Sequence, residues 1–138
     1  MTEGQVKAKL NQYLEARHKF DNARNRLEET EALLTSISID YTKDRVTSSP
    51  KTLDRIGELI DRLSELRSEC MAEAWSAVRT MEEVTEFIKK VGDSRLEGIL
   101  VRHYILGDSF EKIANEMEPP ITERHVYRLQ DEAIGRLR

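Results

Sequence analysis

The sequence predicts an all-α fold: a long antiparallel helical hairpin, or coiled coil, followed by a small C-terminal three-helix domain with a helix-turn-helix. Apolar residues recur with helical spacing along most of the 138 residues. Charged residues make up 35% of the chain and aromatic residues only 6%, with three Pro and six Gly, which favours long solvated helices over a sheet. We therefore expect almost no β-strand.

The first predicted helix has one apolar seam with heptad spacing. Its residues fall seven apart, at Val6, Tyr13, Phe20, Leu27 and Leu34, and a weaker row lies at the three-four offset, at Ala16, Ala23, Thr30 and Ile37. The pattern stops at "SISIDYTKDRVTSSP", where Ser, Thr and β-branched residues replace helix formers. We expect residues 38–49 to form a connection.

A second long helix should begin at Ser49 and Pro50, because Ser caps a helix and Pro is tolerated at its first position. Its seam residues alternate at spacings of three and four: Leu53, Ile56, Ile60, Leu63, Arg67, Cys70, Ala74, Ala77, Met81, Val84, Ile88 and Val91. A helix over residues 51–91 would be about 60 Å long and needs a partner helix. The first helix is the economical partner, so residues 1–91 are predicted to form an antiparallel hairpin.

The middle of this second seam is poor in large side chains, since it consists of Arg67, Cys70, Ala74 and Ala77. Self-association would complete it, and we expect a homodimer or a higher homo-oligomer. Trp75, the single tryptophan, lies beside this part of the seam. Its indole is expected to cover a gap at an inter-helix or subunit interface, with an exposed partner-binding role as the alternative.

Residues 93–138 are predicted to form a separate domain. Gly92 suits the left-handed position after a helix, and Asp93 or Ser94 can cap the next helix. That helix is amphipathic and ends at Gly107. Its inward-facing residues are Leu96, Ile99, Leu100 and Tyr104.

A short helix and a longer one complete this domain. Asp108 and Glu111 form a possible capping box for the short helix, which Pro119 and Pro120 end, and Thr122 is a good N-cap for the last helix. The inward-facing residues are Phe110, Ile113, Ala114 and Met117 in the short helix, and Val126, Leu129, Ala133, Ile134 and Leu137 in the last. Three helices of this size can share the small core of a helix-turn-helix module.

The composition argues against several classes of function. The net charge of −4 is not that of a protein that is basic throughout, so any DNA contact must be local. The single cysteine, Cys70, cannot form an internal disulfide, and no apolar stretch approaches the roughly 18 residues that span a bilayer. The N-terminal sequence also lacks the apolar core of a signal peptide. We expect a cytoplasmic protein with no membrane partner.

The sequence contains no recognisable motif for catalysis or for metal binding. The sequence has no Gly-rich phosphate loop, nucleophile elbow, zinc-ligand spacing or paired catalytic carboxylates. His18 and His103 are isolated from other ligand residues at recurring spacing. We therefore expect neither an enzyme nor a protein that holds a metal or a cofactor.

The C-terminal segment from Arg95 to Arg138 resembles a known family. It contains "RLEGILVRHY", "SFEKIANEM" and "ITERHVYRLQDEAIGRLR". These segments resemble region 4 of bacterial primary sigma factors and, more closely, the sigma-like C-terminal half of phage late-gene transcription regulators of the ArpU and RinA type. The resemblance implies a phage or prophage transcription regulator in a bacterial host cell. It would bind double-stranded promoter DNA, and its hairpin would serve dimerisation or contact with RNA polymerase.

The resemblance also implies which residues face the DNA. The nominated DNA-binding residues are Thr122, Glu123, Arg124, His125, Tyr127 and Arg128. Arg124 and Arg128 lie one turn apart, so one could reach a guanine edge while the other meets a phosphate. The alternative is an ordinary salt-bridged surface, with Arg128 near Asp131 and Glu132. Tyr127 could contact a thymine methyl or a sugar, or could pack on the neighbouring helix.

The sequence departs from the sigma pattern in two ways. The turn carries "PPI", about two residues longer than the usual sigma turn, and Glu123 occupies a position that is commonly basic. Residues 93–138 contain seven Arg or Lys and nine Asp or Glu, a net of −2, which weakens attraction to phosphates. Two other functions stay open: a protein-interaction module whose sigma-like head contacts polymerase or a phage protein without DNA affinity of its own, and a small terminase-type DNA-packaging subunit.

Overall fold

The computed structural model describes residues 1–43 and 50–138, which form five helices. Their bounds are α1 Glu3–Lys43, α2 Pro50–Lys89, α3 Ser94–Tyr104, α4 Phe110–Glu116 and α5 Glu123–Leu137. No strand occurs in these two ranges, so the predicted all-α class is confirmed for them, and α1 and α2 pack together. Across the same ranges, no helix has both the length and the apolar character needed to cross a membrane.

The first helix begins with a reciprocal cap. Thr2 Oγ1 accepts a hydrogen bond from the Gln5 N–H at 3.3 Å, and Gln5 Oε1 accepts one from the Thr2 N–H at 2.9 Å. α1 continues to Lys43, beyond the point where its apolar seam stops. β-branched residues cost less than about 0.7 kcal/mol each in a helix, so a helix already formed can propagate through them. The rest of the predicted connection, residues 44–49, and the predicted cap Ser49 lie outside the described residues.

Two glycines mark the breaks around α3. Gly92 has φ +75° and Gly107 has φ +76°, the left-handed conformation that side chains other than glycine rarely adopt. Asp93 caps α3, because its carboxylate accepts hydrogen bonds from the N–H groups of Arg95 at 2.9 Å and Leu96 at 3.1 Å. These helix breaks and this cap confirm the sequence prediction.

Contacts between residues divide the chain into two compact units. Unit 1 contains Met1–Ala16 and Ser76–Arg138, and unit 2 contains Arg17–Trp75. The start of α1 and the end of α2 therefore belong to the same unit as α3, α4 and α5. The predicted division of the chain into residues 1–91 and 93–138 stays a prediction, and the contacts within unit 1 continue across Gly92.

The main core of unit 1 joins four of its helical segments. Thirteen buried residues form it: Val6 and Leu10 of α1; Val84, Phe87 and Ile88 of α2; Val91 between α2 and α3; Leu96, Leu100 and Tyr104 of α3; Ile105 after α3; and Ala133, Ile134 and Leu137 of α5. Leu100 is completely inaccessible to solvent. The position of α5 within this unit therefore depends on α3 and on the ends of both long helices.

A second small cluster holds α4 in place. Its buried residues are Ile99, Ile113, Ala114 and Val126, surrounded by the half-buried Phe110, Met117, Ile121 and Leu129. Leu129 also packs against the main core, so the two clusters are continuous through α5. All residues predicted to face inward in α3, α4 and α5 are buried or half-buried.

Gln130 is buried among these apolar residues, although its polar side chain gave no signal in the apolar pattern. Its Nε2 donates a hydrogen bond to the Tyr104 hydroxyl at 2.6 Å, which satisfies a group that would be costly to bury alone. Burial raises the pKa of the Tyr104 hydroxyl, and the hydrogen bond from Gln130 opposes that rise. This contact links α3 to α5 inside the core.

Unit 2 has a thinner core. Ala23, Leu63 and Leu66 are its buried residues within the described part of the chain. Two ion pairs also connect α1 to α2: Arg26 Nη2 lies 3.3 Å from Glu69 Oε1, and Arg67 Nη2 lies 3.5 Å from Glu31 Oε1. The higher-numbered α1 residue pairs with the lower-numbered α2 residue, as in antiparallel packing. Because all four side chains are exposed, these pairs contribute little stability.

The predicted seam of α2 is correct only in part. Leu63, Ala77, Val84, Ile88 and Val91 are buried, as predicted. Leu53, Ile60 and Arg67, however, are exposed, while Leu66 and Phe87, which the seam omitted, are buried. The reason is geometric: an α-helix has about 3.6 residues per turn, so a strict heptad drifts by about 20° per repeat and leaves the buried face.

Replacing Leu100 by Ala should destabilise the protein by about 2–5 kcal/mol, because the lost methyl groups leave a cavity in the core. Leu106→Ala is the matched control, since the Leu106 side chain is 63% exposed. Guanidinium unfolding followed by circular dichroism would measure both variants. Equal losses of stability would contradict the described core.

Candidate nucleic-acid interface

Both α4 and α5 begin with a hydroxyl cap. Ser109 Oγ accepts a hydrogen bond from the Lys112 N–H at 3.1 Å, and Thr122 Oγ1 accepts one from the His125 N–H at 3.2 Å. The predicted cap at Thr122 is therefore confirmed. The predicted cap of α4 at Asp108 is wrong by one residue, because the carboxylate of Asp108 is engaged in other contacts.

Asp108 ties the turn between α3 and α4 to both helices. Its Oδ2 accepts a hydrogen bond from Arg102 Nε at 3.0 Å, and its Oδ1 accepts one from Lys112 Nζ at 3.3 Å. Arg102 also pairs with Glu116, and His103 Nδ1 lies 2.9 Å from the Asp108 carbonyl oxygen. The hydrogen bond from Arg102 holds the pKa of the Asp108 carboxyl below its usual value, against the opposing effect of burial. The turn is thus fixed by charge as well as by Gly107.

A row of aromatic rings connects α3, α4 and α5. The His103 ring stacks on Phe110 with centroids 4.0 Å apart, and Phe110 packs against Tyr127 with centroids 4.4 Å apart. Of the two positions considered for Tyr127, the structure therefore shows packing on the neighbouring helix. Its side chain is nevertheless 46% exposed, so part of the ring remains at the surface.

The six nominated residues lie at the start of α5. Thr122 is the cap, and the others occupy the first two turns: Glu123, Arg124, His125, Tyr127 and Arg128. All are exposed except His125, which is half-buried. Val126 lies among them in sequence and is completely buried, so it anchors these turns to the second apolar cluster. The structure thus places Arg124 and Arg128 one turn apart on an anchored helix.

The salt-bridged alternative for these arginines does not occur in the described part of the chain. Neither Arg124 nor Arg128 has an ion-pair partner there, and Glu132 pairs instead with Arg136, at 3.3 Å between Oε1 and Nη2. Arg124 and Arg128 can therefore meet an anion from outside the chain without first breaking an internal pair. Glu123 is exposed beside them, so the positive surface is small.

A shallow groove lies between α3 and α4. Its volume is about 540 Å³, and its lining includes the apolar residues Ile99, Val101, Ile113 and Met117. The sequence pattern did not indicate this groove. An open apolar groove of this kind can accept a side chain from another protein.

Neither the family models nor the curated proteins nor the solved structures searched gave a significant match to this chain. The resemblance to sigma region 4 and to the ArpU and RinA regulators therefore stays a prediction from the residues quoted above.

Changing Asp108 to Asn should destabilise the protein at neutral pH by removing the charge-assisted contacts with Arg102 and Lys112. Because the folded-state pKa of Asp108 lies below its usual 3.8, the stabilisation is fully present above that value. It is lost as the pH falls through the lower folded-state pKa. The denaturation midpoints of wild type and variant should therefore differ at neutral pH and converge in acid.

The matched control is Asp61→Asn on the exposed surface of α2, which should follow the wild type at every pH. A difference between Asp108→Asn and wild type that persists unchanged in strong acid would contradict the role given to this carboxylate.

Proposed function

We propose that this protein is a phage or prophage transcription regulator that binds promoter DNA through α5. In this proposal α4 and α5 are the two helices of a helix-turn-helix, and α5 is the recognition helix. The long helices α1 and α2 form an antiparallel hairpin that dimerises the protein or contacts RNA polymerase. The protein would act in the cytoplasm of the bacterial host cell.

The observation that carries this proposal is the combination of a fixed inner face and a free outer face at the start of α5. Val126 is completely buried, while Arg124 and Arg128 are exposed without internal partners in the described chain. A recognition helix needs this arrangement, since its first turns must enter the major groove without leaving the core. The Thr122 cap and the Phe110–Tyr127 contact add further support, because they hold the same turns.

Arg124 and Arg128 would make different contacts with DNA. A guanidinium can donate two hydrogen bonds to O6 and N7 of guanine, and the other arginine, one turn away, can pair with a phosphate. Glu123 carries the opposite charge and would repel phosphates, although a carboxylate can accept a hydrogen bond from cytosine N4. The exposed part of Tyr127 can contact a thymine methyl or a sugar. His125 is half-buried, so its contribution would be limited to one ring edge.

Affinity for a single site would be modest in this mechanism. Residues 93–138 have a net charge of −2, so few phosphate contacts can form and little counterion release is available. In a homodimer, two copies of residues 93–138 are linked, so binding of one copy raises the effective concentration of the other at its half-site. Self-association would therefore raise the DNA affinity above what the charge of a single copy of residues 93–138 allows.

A protein-interaction module is the second candidate function. Two observations favour it: the acidic balance of residues 93–138 and the apolar groove between α3 and α4. In this case the head would bind a surface of polymerase or of a phage protein, and α5 would carry no DNA specificity. Direct measurement of DNA binding by purified protein separates the two functions.

The double variant Arg124→Ala/Arg128→Ala should weaken binding to the target DNA by at least about tenfold, because each specific arginine contact contributes roughly 1–3 kcal/mol. Helicity should be unchanged, since both side chains are exposed. If one arginine contacts a phosphate, the slope of log affinity against log salt should also fall in magnitude by about 0.9. Fluorescence anisotropy with a labelled duplex over a salt series would measure both quantities.

The matched control is Arg55→Ala/Arg62→Ala, which removes the same charge from exposed positions of α2. This variant should bind like the wild type. If both double variants lose affinity equally, the effect follows net charge, and the assignment of α5 as the recognition helix is wrong.

A further inference from the structure

Unit 2 leaves an apolar stripe of α2 exposed to solvent. We define the α2 stripe by its exposed residues in this unit: Leu53, Ile60, Met71 and Trp75. At about 100° per residue, the first three lie within about 20° of one another, and Trp75 lies about 40° further round. Measured from Leu53, the buried residues Leu63 and Leu66 lie about 80° and about 140° away, on the face that packs within the unit. Among the described residues, the stripe is therefore a surface separate from the buried face of unit 2.

Trp75 is the most informative residue of the stripe. Its side chain is 60% exposed, so it covers no gap between the helices of unit 2, and the subunit-interface and partner-binding roles predicted for it both stay open. Met71, one turn before it, is 62% exposed. Exposed large apolar side chains in one line are typical of a surface that another molecule covers.

Gly57 lies on the same line of α2 as Trp75, eighteen residues or about five turns earlier. A Cβ atom at Gly57 would meet nothing within 4 Å. One copy of the chain therefore gives no steric reason for glycine at this helical position, where glycine is less favourable than alanine. The missing side chain leaves space for a large group from outside the chain.

The positions of the apolar stripe residues are symmetric about the midpoint of residues 65 and 66, whether counted toward the start or the end of α2. A twofold axis that runs between two copies of α2, perpendicular to both helices and level with the midpoint of residues 65 and 66, exchanges position 60 with position 71, and position 53 with position 78, which is a valine. It exchanges position 57 with position 74, so Trp75 of a second copy comes within one residue, about 1.5 Å along the helix, of Gly57. Two antiparallel copies of α2 thus place apolar side chains opposite one another and an indole opposite a glycine.

The charges beside the stripe are compatible with the same arrangement. Arg67 borders the stripe three residues, or about 4.5 Å along the helix, from Arg67 of the second copy, and each of these arginines has Glu31 of its own copy as a carboxylate partner at 3.5 Å. At the outer ends, Asp54 of one copy comes within two residues, about 3 Å along the helix, of position 79 of the other, an arginine. Opposite charges therefore meet at both ends of the stripe.

We propose that a second copy of this chain packs antiparallel on the α2 stripe, with Trp75 of each copy over Gly57 of the other. The interface is isologous, because the same surface is used twice, and it closes at two copies. The inference deepens the homodimer of the proposed function and rests on it only in assigning self-association to the long helices. It requires no DNA.

The test uses the full chain without DNA, in sedimentation equilibrium and in fluorescence of its single tryptophan over a concentration series. The wild type should dimerise, and the emission of Trp75 should shift to shorter wavelength as the concentration rises. Gly57 and Trp75 of one copy are about 27 Å apart along the helix, so a change at Gly57 can reach the indole only through a second copy. Gly57→Gln should weaken dimerisation by at least about tenfold and abolish the shift at concentrations where the wild type shows it.

Trp75→Ala should weaken dimerisation to a similar extent, by removal of the other half of the contact. Two controls should keep the wild-type dimer: Leu33→Ala, an apolar truncation on α1 at a side chain that is 50% exposed, and Gly135→Gln, in the open space beside α5. Circular dichroism should show Gly57→Gln to be as helical as wild type, since glutamine favours a helix more than glycine does. If that variant misfolds, Trp75→Ala decides the test.

Three results would overturn the interface: a chain that stays monomeric over the whole series, a dimer whose dissociation constant is unchanged in both variants, or an assembly larger than two copies. A monomer would leave the stripe to a different partner, and a larger assembly would favour a ring. A dimer with these properties that binds no DNA would contradict the proposed function alone, so the two proposals can fail separately.

Discussion

The inner face of α5 is buried against α3 and against the ends of the two long helices, and this burial constrains the rest of unit 1. Ala133, Ile134 and Leu137 enter the main core, while Val126 enters the smaller cluster with Ile113. Since an α-helix has one fixed periodicity, burial of these positions decides which residues of α5 face outward. The exposure of Arg124 and Arg128 follows from where the apolar residues are, rather than from any contact of their own.

Local polar contacts determine where the helices begin. The Asp93, Ser109 and Thr122 caps each satisfy N–H groups that the helix itself leaves free, a contribution of about 1 kcal/mol per cap. Asp108 adds a charged contact across the turn between α3 and α4. Burial in the core thus determines which face of each helix is exposed, and the caps determine where α3, α4 and α5 begin.

The C-terminal helices were the most predictable part of the chain, because apolar spacing and break signals agree there. Gly92, Gly107 and Thr122 mark ends that the structure confirms. The sequence could not show that Ser109 rather than Asp108 caps α4, since both can accept hydrogen bonds and only the position of Arg102 decides between them. The hydrogen bond between Gln130 and Tyr104 was equally hidden, because it joins residues 26 positions apart.

The sequence predicted that both long helices form, but it did not predict correctly which of their residues are buried. Apolar residues on α2 exceed what one face can bury, so a single heptad seam assigned Leu53 and Ile60 to the same face as Leu63. The structure separates them into a buried face and an exposed stripe, which is the surface proposed to bind a second copy of the chain. The nominated site residues at the start of α5 were found through a motif resemblance, and the structure adds their exposure and anchoring.

A pull-down of genomic DNA would measure whether the protein binds specific promoter sequences. Purified full-length protein is mixed at low salt with fragmented DNA from the source genome, the retained fragments are sequenced, and the best fragment is titrated with salt. If α5 reads promoter DNA, one or a few promoter-like fragments will be recovered, with an affinity that falls as the salt concentration rises. Recovery of no fragment, or of all fragments equally, would contradict it.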